Sequence, residues 1–356
     1  MELAEIKTLL ILAKNELNSM LSLNRTKKIK YEESRYFELI TFLSLWNVAG
    51  EGGSSIMNVI DDVPSGDALM QQLQKLDFEL IEAQFDNVFK QQFRKMFGKK
   101  RPAVIAIIDV HEQETYSKDK RESLDIRGGK HKNGTNFFFK FATIQILCKD
   151  KILTMKVKLF RREQALKDVV DELVRHVQNF AKIRILLLDR GFRNTDIFND
   201  LEYLKIPLLM PCVKDEKTKA EFMKREGKFH VVKCCFQNIR REYADFKLIM
   251  IKLDSDKEIG FYTTLPFLWL RTAKYFLNLY AKRWNIETGY RLQNQFLPKT
   301  TCVKGAVRYF YFCYAVAMHN LWLIMKNSVD KITLTVATLK FMLIYAWITT
   351  HLSLDL

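Results

Sequence analysis

The stretch AVIAIID at residues 103–109 decides the fold of this chain. Six consecutive apolar residues are typical of a strand that is buried on both faces, and an aspartate follows them directly. A second stretch of this kind, IRILLLD, occupies residues 183–189 and also ends in an aspartate. Because ligands of open α/β sheets collect at the carboxyl ends of strands, Asp109 and Asp189 are candidate site residues. The alternative is that each aspartate only forms a turn.

The segments around these two strands predict a mixed α/β sheet flanked by helices. Two strand-like runs follow the first strand and are separated by Lys149-Asp150, which indicates a hairpin. Helical periodicity precedes and follows the second stretch, and a further strand comes after it. The order β-β-β-α-β-α-β therefore predicts an α/β fold.

Pattern changes divide the chain into three regions. Residues 1–101 have mostly helical periodicity and are predicted to form an N-terminal helical domain. Residues 102–212 and 267–356 are assigned to the sheet with its flanking and C-terminal helices. Between them, residues 213–266 carry short alternating stretches, which predict a β-rich insertion.

The charge is distributed unevenly along the chain. The sequence has 57 Lys+Arg against 41 Asp+Glu, a formal net charge of +16. Residues 1–101 carry 14 residues of each sign, so the whole excess lies in residues 102–356. An excess of this size favours a polyanionic partner, either nucleic acid or an anionic membrane surface.

One carboxylate stands alone in the most basic part of the chain. Residues 271–308 contain eight basic residues and a single acid, Glu287. In a continuous helix, one face would carry Tyr280, Arg283, Glu287, Arg291 and Asn294. This face is either a solvated surface with ion pairs of about 0.2–0.5 kcal/mol each, or a metal-binding carboxylate whose neighbours hold DNA phosphates.

The spacing Tyr280-x2-Arg283-x3-Glu287 matches the Y-x2-R-x3-E core of the signature of insertion-sequence transposases of the YREK type. Asp109 and the turn Asp189-Arg190-Gly191-Phe192 resemble the two aspartate regions of that family. The resemblance covers about residues 102–325. It departs at one position, where the signature continues with Lys and this chain has Asn294. Two nearby cations could replace that lysine, namely Arg291 and Lys299.

The resemblance implies an RNase H-like catalytic core with a β-rich insertion between the second aspartate and the glutamate. It implies that Asp109, Asp189 and Glu287 hold two Mg²⁺ ions, for which Mn²⁺ can substitute, and that they catalyse phosphodiester cleavage. It further implies that the protein cuts DNA at the ends of an insertion sequence and joins the freed 3′-hydroxyl ends to target DNA.

A set of basic and aromatic side chains is expected to contact the DNA. Its members are Tyr280, Arg283, Arg291, Lys282, Lys274, Arg190, Lys299 and Trp284. Trp284 or Trp269 could stack on a displaced base, and packing in the core is the other interpretation. His111 and His131 have no partner at metal-ligand spacing and are predicted to be polar loop residues, the latter in a glycine-containing loop at residues 127–132.

The expected partner is double-stranded DNA, both the terminal repeats and the target site. Because pairing two DNA ends generally needs two active sites, the resemblance also implies a homodimer in the DNA complex. The N-terminal helical domain is then expected to recognise the ends or to mediate pairing.

Other functions stay open at this point. Asn294 is compatible with an inactive, transposase-derived DNA-binding protein, and a nuclease that cleaves without strand transfer is also possible.

A membrane-surface protein is the last alternative. Residues 310–325 are short for a spanning helix and contain His319 and Asn320, so we predict a buried helix and no membrane. Without a secretion-signal pattern or zinc-site cysteines, the chain is expected in the cytoplasm, at the nucleoid of a prokaryotic host.

Overall fold

The computed structural model describes residues 3–24, 30–118, 121–224, 227–255, 257–266, 268–328 and 334–351. The N-terminal region is helical, with α1 (Leu3–Ser19), α2 (Glu33–Trp46), α3 (Gly50–Met57), α4 (Gly66–Leu73) and α5 (Phe78–Phe97). Side chains cap the last two of these helices, because Ser65 accepts a hydrogen bond from the Ala68 N–H and Asp77 accepts one from the Leu80 N–H.

The rest of the described chain contains the strands of the sheet and the helices that follow or connect them. The strands are β1 (Ala103–Glu114), β2 (Ile126–Lys132), β3 (Thr135–Cys148), β4 (Lys151–Leu159), β5 (Lys182–Leu187), β6 (Leu208–Pro211), β7 (Phe229–Gln237), β8 (Tyr243–Lys252) and β9 (Glu258–Thr263). The helices are α6 (Leu166–Gln178), α7 (Thr195–Tyr203), α8 (Glu216–Met223), α9 (Ala273–Ala281), α10 (Trp284–Gln293), α11 (Gly305–Ser328) and α12 (Val336–His351).

The described strands form one mixed sheet. β3 pairs antiparallel with β1 on one edge and with β2 and β4 on the other. β1, β5 and β6 run parallel, and β9, β8 and β7 then continue the sheet in antiparallel pairs. The predicted mixed sheet is thus confirmed. The predicted strands of the insertion are also confirmed, and as β9, β8 and β7 they extend the same sheet beyond β6.

The polar loop predicted at residues 127–132 is wrong, because this segment forms the edge strand β2. Ile126 of β2 pairs with Phe139 of β3. A Cβ atom at Gly129 would lie 2.9 Å from the ring of Phe138, so glycine permits the close approach of the two strands. The polar composition of β2 reflects its exposed position at the edge of the sheet. Sequence periodicity does not distinguish such a strand from a loop.

A single hydrophobic core joins the N-terminal helices to the sheet. α11 contains residues 310–325, whose side chains are buried, so the predicted buried helix is confirmed. α5 packs on α11, with the rings of Phe85 and Phe310 5.2 Å apart, and it also packs on β4. Among the described residues, no helix combines the length and apolar character needed to cross a membrane.

Candidate active site

Asp109 lies on β1, and Asp189 follows the end of the neighbouring parallel strand β5. The pairing of β1 with β5 ends at Ile107 and Leu187, and each aspartate stands two residues further along its chain. Because adjacent strands lie about 4.8 Å apart, the backbones of the two aspartates lie near the same edge of the sheet. The side chain of Asp109 is 20% exposed, which leaves it accessible at the edge of the core.

β1 does not end at Asp109, contrary to the prediction from its apolar run. The strand continues to Glu114, where it pairs with Phe138 of β3. β5 has ended by this point, so beyond Asp109 the strand loses its partner on that edge and its side chains become polar. The apolar run therefore covers only the part of β1 that lies beside β5, and β1 itself is longer.

Both aspartates also bond to the backbone that follows them. Asp189 Oδ1 accepts a hydrogen bond of 2.7 Å from the Arg190 N–H and starts the 3₁₀ turn Arg190–Phe192. Asp109 Oδ1 accepts one of 2.9 Å from the Val110 N–H. These bonds engage one oxygen of each carboxylate, so turn formation does not exclude a second role for the other oxygen.

The continuous helix predicted through residues 280–294 is wrong, because α9 and α10 are separated by a tight turn at Lys282 and Arg283. The Arg283 N–H donates to the Tyr280 carbonyl, a bond to the third preceding residue, at 2.9 Å. The Asn285 side-chain amide donates to the Lys282 carbonyl at 2.7 Å and supports the turn. Both turn residues keep right-handed helical dihedrals, so Arg283 and Glu287 still share a face.

Arg283 lies between Glu287 and Asp109. One Nη donates a hydrogen bond to Glu287 Oε1, and the other lies 3.6 Å from Asp109 Oδ2. The arginine side chain is only 11% exposed, and its Cζ lies 5.6 Å from the ring centre of Tyr280 and 5.8 Å from that of Trp284. One buried guanidinium therefore neutralises two of the three predicted metal-binding carboxylates.

The electrostatic surroundings of Asp109 include the other two predicted carboxylates. Burial raises the pKa of Asp109 to about 6, and the charges of Asp189 and Glu287 raise it as well. The Val110 N–H and the Arg283 guanidinium act in the opposite direction. The fold therefore brings all three predicted carboxylates into one electrostatic neighbourhood.

We expect the Asp109 carboxyl of the metal-free protein to titrate near pH 6. Because its pKa lies above the ordinary value, the protonated form predominates below pH 6 and a divalent ion must compete with that proton. Metal affinity should therefore fall about tenfold for each pH unit below this value. Carbon-13 NMR of the carboxyl groups measures the titration, with Asp109→Asn identifying the signal, and a midpoint near pH 4 would contradict the expectation.

The donor chemistry of the site fits a hard divalent cation. Asp109, Asp189 and Glu287 supply carboxylate oxygens, which Mg²⁺ and Mn²⁺ prefer. In the described part of the chain, however, no three His, Cys, Asp or Glu side chains are close enough together to hold a metal ion. The guanidinium of Arg283 lies between two of the carboxylates, Glu287 and Asp109.

Most of the side chains predicted to contact DNA are exposed. The exposed ones are Arg190, Lys274, Lys282, Trp284, Arg291 and Lys299. Tyr280 differs, because it is half-buried and its hydroxyl donates to the Leu188 carbonyl at 3.3 Å, next to Asp189. Burial raises the pKa of this hydroxyl, so Tyr280 stays neutral and fastens α9 to the end of β5. The side chain of Trp269 lies outside the described residues.

The sequence did not predict a polar contact made by Thr143, the residue of β3 that pairs with Asp109. Thr143 of β3 pairs with Asp109, and its hydroxyl lies 2.6 Å from the hydroxyl of the buried Tyr290. Tyr290 follows Glu287 by one helical turn, and that spacing is the signal that could have identified it. The contact fixes α10, and with it Glu287, over the face of the sheet that carries Asp109.

The prediction that His111 is a polar loop residue is also wrong. His111 lies in β1, and its ring packs 4.8 Å from that of Tyr290 and 5.2 Å from that of Phe312. Burial lowers its pKa to about 4, so the imidazole is neutral at physiological pH. Its strand position is hidden in the sequence because the apolar run stops before it.

Asn294 and Lys299 line the same open groove, which begins beside His111. Asn294 starts the 3₁₀ turn Asn294–Phe296 directly after α10. Arg291 is exposed on α10 and does not line this groove. Of the two cations that could replace the missing lysine of the signature, Lys299 is therefore the one that shares a groove with Asn294.

Residues 100–321 match the family profile of the transposase DDE domain, a range that contains all three carboxylates. This chain belongs to the DDE transposase family. Membership places the transposase among enzymes that cut and join DNA and that generally use divalent metal ions. No curated protein sequence matches it significantly.

The transposase is also similar to a solved structure, the cryo-EM structure of the piggyBac transposase synaptic complex with hairpin DNA. The TM-score is 0.59 at 13% sequence identity, and the match covers 98% of this chain and 78% of that chain. The likeness supports the fold, and the predicted RNase H-like architecture is confirmed. In this architecture the central strands lie in the order β4-β3-β1-β5-β6.

Proposed function

We propose that this transposase, of the YREK type, cuts DNA at the ends of an insertion sequence and joins the freed 3′-hydroxyl ends to target DNA. The observation that carries the proposal is the convergence of three carboxylates. Asp109 and Asp189 each stand two residues after the end of the pairing between β1 and β5, and Arg283 links Glu287 to Asp109. If Arg283 moved away from Glu287 and Asp109, the carboxylates would suit metal-assisted phosphodiester chemistry.

Asp109, Asp189 and Glu287 would hold two Mg²⁺ ions, with Mn²⁺ as a substitute. When bound, such ions activate the attacking water or 3′-hydroxyl and stabilise the leaving oxygen. Arg283 would leave the carboxylates and bind a phosphate oxygen, since its guanidinium suits either partner. The buried Tyr290 and Thr143 pair keeps Glu287 over Asp109 during this exchange.

The exposed cations of the core would neutralise DNA phosphates without reading sequence. They are Arg190, Lys274, Lys282, Arg291 and Lys299. Trp284, which is 62% exposed beside Arg283, is available to stack on a displaced base. The favoured partner is therefore double-stranded DNA, at the terminal repeats and the target site, in the cytoplasm at the nucleoid of a prokaryotic host.

The N-terminal helical domain at residues 1–101 is proposed to recognise the DNA ends or to pair two protomers in a homodimer on DNA. Its neutral balance of charge argues against a purely electrostatic role. The proposed domain division has two further parts. They are the catalytic core, at residues 102–212 and 267–356, and the β-rich insertion, at residues 213–266. Because the helices share the core of the sheet, surface substitutions test their role better than deletion does.

We expect the wild-type protein with Mg²⁺ to cleave labelled duplexes that carry the terminal repeats flanking its gene and to yield joined products with a target plasmid. Gel analysis measures both products, and EDTA should abolish them because the carboxylates act through the metal. Glu202→Gln, which changes an exposed acid on α7, is the matched control and should leave both products unchanged.

The outcomes separate the alternative functions. Cleavage without joined products would favour a nuclease that lacks strand transfer. Binding without cleavage would favour an inactive, transposase-derived DNA-binding protein, which Asn294 in place of the lysine of the signature makes worth testing. Either result would overturn the proposed reaction.

A further inference from the structure

An open groove of about 550 Å³ is lined by residues that follow Asp109 and Glu287 along the chain. One wall is the part of β1 beyond Asp109, which includes His111 and Gln113. The other wall is the chain beyond Glu287, which includes Asn294 and the loop that follows it. Asp109, His111 and Gln113 are two residues apart along β1 and therefore share one face of the strand. A DNA strand that passes through the proposed site would continue along this face into the groove.

The N-terminal region fixes the second wall in place. Asn47 is a left-handed residue at the end of α2, and its side-chain amide donates to the carbonyls of Asn294 and Leu297. The Lys299 N–H donates to the Val48 carbonyl at 3.1 Å. The backbone carrying Lys299 is therefore held by hydrogen bonds, and its ammonium group reaches the groove from a fixed base.

The groove carries an unbalanced positive charge. Its acids are already paired, because Glu112 lies 2.7 Å from the Lys140 ammonium and Glu114 lies 3.8 Å from that of Lys132. Arg308 also lines the groove. In the described part of the chain, the ammonium of Lys299 has neither an ion pair nor a hydrogen bond, and the side chain is exposed.

A second feature of the groove is a polar group without a partner. Gln113 is 8% exposed and lines the groove, yet its side-chain Nε2 makes no hydrogen bond among the described residues. A buried N–H donor of this kind costs about 1–3 kcal/mol unless an acceptor satisfies it. A phosphate oxygen or a sugar oxygen is an acceptor of suitable chemistry.

We propose that this groove binds the sugar-phosphate backbone of the cleaved DNA strand on the far side of the cut, through Lys299 and Gln113. The proposal rests on the proposed function, since it places the cut at Asp109, Asp189 and Glu287. It assigns DNA contacts to β1 and to the loop after α10, and it gives the N-terminal region a part in DNA binding through Asn47. The ammonium of Lys299 neutralises one phosphate, and the Gln113 amide donates to the backbone.

The test compares two labelled terminal-repeat duplexes in EDTA, one that ends at the cleavage point and one in which the cleaved strand continues for about six nucleotides. Lys299→Gln should weaken binding of the extended duplex about fivefold and lower the slope of log K against log salt by about 1, with no effect on the short duplex. Gln113→Leu should cost about fivefold on the extended duplex, the scale of one hydrogen bond. Fluorescence anisotropy measures both.

Lys182→Gln is the matched control, because Lys182 is an exposed lysine where β5 begins, at the opposite end of the strand from Asp189. It should leave both affinities unchanged. Equal weakening of both duplexes by Lys299→Gln, or an unchanged salt slope, would overturn the groove assignment. Since Lys299 is exposed, its substitution tests the proposal even where Gln113→Leu fails to fold. Binding in EDTA does not depend on cleavage, so the groove and the proposed reaction can fail separately.

Discussion

Glu287→Gln is expected to lower the rate of DNA cleavage by about 10²–10³-fold while leaving the fold intact. The substitution keeps the shape of the side chain and its acceptor for Arg283 but removes the charge that would hold a divalent ion. Loss of one group that stabilises developing charge typically costs about 10²–10³ in rate. Asp109→Asn and Asp189→Asn should have effects of the same size.

The stability of the same variant provides the control. The ion pair of Glu287 with Arg283 is of the i, i+4 kind and the carboxylate is 37% exposed, so its loss should change the free energy of unfolding by no more than about 0.5 kcal/mol. Rapid-quench cleavage assays and urea denaturation measure the two effects. A Glu287→Gln protein with more than about a tenth of the wild-type rate would be incompatible with a catalytic Glu287.

Lys156→Ala is expected to reduce the free energy of unfolding by about 3–5 kcal/mol, since removing one partner of a buried ion pair leaves charges uncompensated. Lys156 of β4 is 5% exposed, and its ammonium lies 2.8 Å from Asp86 and 3.2 Å from Glu172, with Glu82 also in contact. These acids belong to α5 and α6, so the lysine ties the N-terminal helices to the sheet. Urea denaturation measures the loss.

An exposed ion pair gives the comparison for this substitution. Lys167→Ala removes a lysine that is 41% exposed and lies 3.4 Å from Asp200, and it should cost less than about 1 kcal/mol. Equal losses for the two lysine variants would show that burial of Lys156 has no special effect. Catalytic assays on Lys156→Ala are meaningful only at temperatures where the variant remains folded.

The same cluster predicts a loss of stability in acid. Burial would raise the pKa of Glu82, but a hydrogen bond with Glu172 and contacts with Lys156 outweigh it and lower the pKa to about 2. A lowered pKa means that the stabilisation is complete above about pH 5 and is lost as the pH falls towards 2. Glu172, whose pKa is raised by burial and by Glu82, partly offsets this trend. In Lys156→Ala the acid-dependent loss should be smaller than in the wild type.

Local patterns in the sequence were sufficient for the fold class, and they predict the three carboxylates, whose role stays a prediction. The apolar runs before Asp109 and Asp189 predict buried strands because burial on both faces requires continuous apolar side chains. The spacing from Tyr280 to Glu287 identifies the third carboxylate, and the right-handed turn between α9 and α10 preserves its relation to Arg283. In the structure Arg283 contacts two of these carboxylates, Asp109 and Glu287, and the metal-binding role of all three stays a proposal.

The tertiary structure alone decides the features that depend on residues far apart in the chain. β1 extends past Asp109 because β3 continues to pair with it after β5 has ended. The guanidinium of Arg283 reaches Asp109, and the contact of Tyr290 with Thr143 holds α10 against the sheet, through residues that lie far apart in the chain. Hydrophobic periodicity and helical spacing are properties of neighbouring residues and can be read from the sequence, but contacts between distant segments are fixed only when the core packs.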